Sequence, residues 1–183
     1  MSSSMRANRT RASATVRDTA IFAMLGALMF ASKIAFEILP NIHILGMLII
    51  VYTLVYRARA LIPIYIFVAL TGVYAGFSYW WVPYLYIWAV LWGATMLLPR
   101  NMPKKVGAIV YPLLCAIHGL GYGVLYAPTQ ALMFGLNFEQ MLIWIATGFV
   151  FDVVHSIGNF VSGLLIIPLS ELLFKLERGF LRQ

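Results

Sequence analysis

The sequence predicts an all-α integral membrane protein: a six-helix bundle with both termini cytoplasmic and a short extracellular flap helix before the sixth span. Three observations lead there. The 183 residues are 62% hydrophobic and only 10% charged, far from the balance of soluble domains. Apolar stretches recur along the whole chain. Twelve of its 13 Lys and Arg residues fall in clusters at alternate gaps between those stretches: Arg6 to Arg17, Arg57 and Arg59, Arg100 to Lys105, and Lys175 to Arg182. Positive residues stay on the cytoplasmic side during insertion, so the alternation requires an even number of spans with both ends inside.

Residues 1–17 are read as a disordered basic cytoplasmic arm, 18–177 as the membrane domain and 178–183 as a cytoplasmic tail. The first span runs from about Asp18 to Ile38, where Pro40 stops it. The second, about Ile42 to Tyr56, would rise only roughly 22 Å as a helix, so its neighbours must shield it. Pro63 sits in the first turn of the third span, where a missing donor costs little, and that span ends near Phe77. The fourth runs from about Trp81 to Leu98. Pro112, Gly119, Gly121 and Gly123 make the fifth, about Val106 to Ala127, an irregular helix. The apolar run from Phe138 to Val150 is too short to span; it is placed as an outer flap leading into a sixth span over about Asp152 to Phe174. A seventh span would put the last basic cluster outside, against the charge rule.

The net charge of +7 is accounted for by this topology and does not imply nucleic acid. The single cysteine, Cys115, excludes an internal disulfide and reads as buried packing. No phosphate-cradling Gly-Lys-Ser/Thr motif is present, so no cofactor is expected in this chain.

With topology set, depth can be assigned to the polar residues. Lys33 and Glu37 lie one helical turn apart near the outer end of the first span, His43 opens the second, and Asp152, His155 and Asn159 share one face of the sixth. His118 lies roughly 13 Å below the outer end of the fifth. Ionisable groups in a membrane are costly unless they pair or face water. A rim salt bridge between Lys33 and Glu37, and an N-cap role for Asp152, would account for them locally. Convergence of three helices at one depth favours an outward polar pocket, to which Tyr84 also belongs. Trp80, Trp81 and Trp144 supply its apolar walls, as suits a flat or partly apolar ligand. On the first span Ala23, Ala27 and Ala31 repeat every four residues. Such a face lets another helix approach closely, within the protein or from a partner.

The element Ala23-Met-Leu-Gly-Ala27, the stretch from Trp144 to Asn159, Pro168-Leu-Ser and the basic tail resemble a substrate-binding S component of the energy-coupling factor (ECF) transporters, and the resemblance covers nearly the whole chain. It implies the binding subunit of an ABC transporter in a bacterial plasma membrane. Such a subunit takes up a vitamin or related micronutrient in a pocket formed by the loops after spans one, three and five. It implies docking through the alanine face to a transmembrane coupling subunit and two ATPases, which use the ATP, and toppling in the membrane to release the ligand inside. The chain departs from the better-known members in carrying both Lys33 and Glu37 near the pocket, and the vitamin is left open. Two other readings stand beside this one: an intramembrane hydrolase using His118, Asp152 and His155, which lacks the helical His-Glu-x-x-His pattern, and an MreD-like membrane scaffold, which needs no outer pocket.

Overall fold

The computed structural model describes residues 3–39 and 41–180, and these form eight α-helices, two 3-10 turns and no strand. Four helical stretches are long and apolar enough to cross a membrane: Val16–Ala35, Leu45–Ala75, Lys104–Phe134 and Phe138–Gly163.

Helix α1 (Ser3–Ala35) begins well before Asp18. The segment expected to be a disordered arm continues this helix from Ser3, because no Gly or Pro interrupts the sequence before Gly26. Pro40, expected to stop the first span, lies outside the described residues, as does the tail beyond residue 180.

Helix α2 (Leu45–Tyr56) is short, and every residue from Leu45 to Thr53 is buried. A helix apolar on all sides belongs in the centre of a bundle, and this one packs against α1 and against four helices from later in the chain. It ends at Arg57, whose φ of 54° is rare for a residue with a side chain. Two contacts hold that turn: Trp92 Nε1 donates to the Arg57 carbonyl at 3.1 Å, and Arg57 Nη2 donates to the Met96 carbonyl at 3.2 Å. A 3-10 turn over Arg57–Ala60 leads into α3 (Leu61–Ala75). This helix lies along α1, where Gly26 is buried against Ile66 and Pro63.

Helix α4 (Tyr84–Leu97) follows a 3-10 turn over Tyr79–Trp81. The irregular fifth element is two helices, α5 (Lys104–Leu120) and α6 (Tyr122–Phe134), hinged at Gly121. Gly135, with φ of 65°, closes α6 in the left-handed conformation. The expected flap and sixth span are divided differently. Residues 138–163 form one continuous helix, α7 (Phe138–Gly163), and α8 (Ile166–Phe180) follows after a break at Leu164 and Leu165. A reciprocal capping box between Asn137 and Gln140 starts α7, no proline interrupts it, and Pro168 in the first turn of α8 accounts for the later break.

Several of the described basic residues pair at one end of the bundle. Arg59 pairs with Asp18 midway along α1, and Lys104 at the start of α5 pairs with Glu171 on α8. The Tyr56 hydroxyl donates to Glu177 at 2.7 Å. Between the two ends lies an apolar core centred on Trp88, Tyr52, Phe67 and Met29, all nearly inaccessible.

Candidate ligand site

The end of the bundle opposite the basic clusters contains two adjoining cavities of about 380 and 200 Å³ that share Asn41 and Tyr122 as lining residues. The smaller lies between the end of α1, the start of α2 and α7. Lys33, Glu37, His43, Tyr84 and His155 all face it. Lys33 Nζ is 3.7 Å from a Glu37 oxygen, a loose pair one turn apart. The His43 and His155 rings meet edge to face with centroids 4.4 Å apart. His43 Nδ1 and His155 Nε2 are buried without a hydrogen-bond partner among the described residues. An unpartnered polar atom costs on the order of 1–3 kcal/mol, a cost removed when water or a ligand fills the cavity.

The larger cavity lies between α6 and α7, lined by Tyr122, Tyr126 and Gln130 on one side and Trp144, Gly148, Phe151 and Asp152 on the other. Trp144 stacks on Tyr126 with ring centroids 5.9 Å apart and 19° between planes. It belongs to the first half of α7 rather than to a separate flap. Asp152 is only 6% exposed and does not cap its own helix, since it lies in the middle of α7. Its two oxygens instead accept from the backbone N–H of Gly123, each at 3.2 Å, in the first turn of α6. That contact needs glycine: a Cβ at position 123 would collide with the carboxylate.

The remaining residues singled out in the sequence lie elsewhere. Asn159 is buried one turn below His155, donating from Nδ2 to the Cys115 carbonyl at 3.2 Å. Gly46 and Gly119 leave room for its amide, which a Cβ at either position would crowd, and its Oδ1 is buried without a hydrogen-bond partner among the described residues. His118 is behind Trp88, ring centroids 6.0 Å apart, with Nε2 3.1 Å from the Ile87 carbonyl. Trp81 donates to the Val68 carbonyl at 2.7 Å and packs on Phe77, holding the α3–α4 turn. Trp80 lies behind Tyr84 and accepts through its carbonyl from the Tyr126 hydroxyl at 3.1 Å. His118 thus lies away from the two cavities that Asp152 and His155 line, and among the described residues no three His, Cys, Asp or Glu side chains are grouped to share a metal ion.

Sequence reasoning missed Asn41, Tyr122, Tyr126, Gln130, Gly148 and Phe151. A signal was present: Tyr122, Tyr126 and Gln130, and opposite them Trp144, Gly148 and Asp152, each recur every four residues, as two facing helices require.

Ala23, Ala27 and Ala31 are exposed along α1, flanked by exposed Met24 and Leu28. Gly26, beside them in sequence, faces inward against α3. The stripe is thus not the face that packs inside this chain. No protein-family model, no curated protein and no solved structure matches the chain.

Proposed function

We propose that this protein is a substrate-binding S component of an ECF-type ABC transporter, capturing a vitamin or related micronutrient in the joined cavities. It would deliver the ligand inward with a transmembrane coupling subunit and two ATPases. The observation that carries the reading lies on α1. This helix supplies Lys33, and the turn that follows it Glu37, to the cavity at one end, and it leaves an alanine face uncovered along its length. A ligand site and a smooth helix-docking face on one rigid element are what a module needs when its ligand must be handed on by a partner.

The reading takes the bundle as six passes: α1, α2, α3, α4, α5 with α6, and α7 with α8. The basic end is cytoplasmic and the cavities open outward in a bacterial plasma membrane. ATP hydrolysis belongs to the partners, because the chain has no phosphate-binding motif.

The test separates docking from binding. The wild-type protein and Ala27→Trp are purified from native membranes, and co-purified proteins and small molecules are identified by mass spectrometry. Trp in place of Ala27 should abolish recovery of the coupling subunit and ATPases and abolish uptake, while the co-purified small molecule is retained. Retention of the partners by Ala27→Trp, or loss of the small molecule alone, would overturn the docking role of this face.

A further inference from the structure

Resting on the reading of these cavities as a ligand pocket, we infer that the ligand is a small organic cation with a flat apolar body, its charge set against the Asp152 carboxylate and its body against Tyr122, Tyr126 and Trp144. The argument begins with charge. Lys33 and Glu37 lie in the same cavity 3.7 Å apart and cancel. Asp152 takes part in none of the ion pairs formed among the described residues. With the histidines counted as neutral, the joined cavities thus hold one uncompensated negative charge, and it is on a side chain 94% removed from solvent, that is, 6% exposed.

A buried carboxylate without a countercharge is among the costliest arrangements in a membrane protein. The first turn of α6 relieves only part of the cost. One N–H shared between two oxygens at 3.2 Å is a weak contact, and a helix N-terminus supplies about half a positive charge. What faces the carboxylate across the cavity is aromatic. Tyr122, Tyr126 and Trp144 line the same space, and the negative faces of such rings attract a cation while their area favours a flat body. A volume of about 380 Å³ lies in the range of small-molecule sites. An anionic ligand would meet Asp152 and the ring faces together, both repulsive. A neutral one would leave the carboxylate unpaired.

Phenethylammonium, phenylacetamide and phenylacetate are near-isosteric and differ in charge, so they probe the inference directly. Binding of each to the purified full chain in detergent is followed by tryptophan fluorescence and titration calorimetry. Phenethylammonium should bind at least about tenfold more tightly than phenylacetamide, with phenylacetate weakest. Asp152→Asn keeps a side chain that can accept from Gly123 N–H and removes only the charge; it should weaken phenethylammonium by about 30-fold and leave phenylacetamide unchanged. Trp144→Leu should weaken the cation by about fivefold. If phenylacetate binds as tightly as the cation, if the cation-to-amide ratio survives Asp152→Asn, or if none of the three binds at millimolar concentration, the inference is overturned. Should Asp152→Asn fail to fold, the wild-type ranking and Trp144→Leu decide. The transport reading is independent of this result, since Ala27→Trp tests it whatever the charge of the ligand.

Discussion

The two ends of the bundle treat charge in opposite ways. At the basic end, Asp18 is met by Arg59 and Arg17, Glu171 by Lys104, and Glu177 by the Tyr56 hydroxyl. At the other end Lys33 and Glu37 are 3.7 Å apart, His43 and His155 each leave a buried ring nitrogen unpartnered among the described residues, and Asp152 has no cation. A pair that is satisfied within the chain orients and fastens the helices. A polar group left open at a cavity gains its partner only from what enters. The difference separates an end whose charges are met within the chain from an end whose polar groups border open cavities.

Labelling by membrane-impermeant thiol reagents breaks this comparison most completely, because its outcome is all or none. Cysteines introduced at Ser78 and Asn137 should label on intact cells, and those at Arg59 and Lys105 only after permeabilisation. Cys115 is buried and should contribute little background. Labelling of the Lys105 position from outside would place both ends of the bundle differently and remove the outward-facing cavity.

The parts legible in the sequence were those governed by local rules. The clusters around Arg57 and Lys104 stand out in the sequence as polar breaks between apolar runs, and in the fold Arg59 and Lys104 pair with Asp18 and Glu171. Lys33, Glu37, His43, Tyr84 and His155 were recognisable as one group because intramembrane polarity is costly, and they do line one cavity. Gly121 announced the break between α5 and α6. What was illegible depended on tertiary placement. Depth alone put His118 and Asn159 with the rest, yet Trp88 screens the first, and the second is turned toward Cys115. Asp152 looked like the cap of its own helix and instead accepts from a neighbouring helix. By length alone the run from Phe138 to Val150 reads as a separate flap, but the capping box at Asn137 starts a helix that nothing interrupts before Gly163.

Lys33→Met sharpens the comparison at the open end. It keeps most of the aliphatic stem and removes the ammonium group, leaving Glu37, which is 54% exposed at its side chain and able to reach water. Affinity for a cationic ligand should rise by about one decade, because Glu37 is left at the cavity without its countercharge, while the thermal midpoint of the unliganded protein changes little. A change in folding yield with unaltered affinity in the folded fraction would assign the Lys33–Glu37 pair to the rim and remove it from the site.

The smallest effect should come from the satisfied end. Arg59→Gln removes the partner of Asp18 and the guanidinium 4.8 Å above the Phe22 ring, yet the Arg59 side chain is 56% exposed. Solvent and salt screen such a pair, and side-chain ordering offsets much of its Coulomb energy, so the stability lost should be less than about 1 kcal/mol. Asp18 retains Arg17 at 3.2 Å, which reduces the cost further. A thermal melt in low and high salt checks this: the midpoints of the variant and wild type should differ slightly at low salt and converge at high salt. Ligand affinity should be unchanged, because Arg59 and the cavities lie at opposite ends. If Arg59→Gln shifted ligand affinity as much as Lys33→Met, the two ends would be energetically coupled, and the contrast between them would fail.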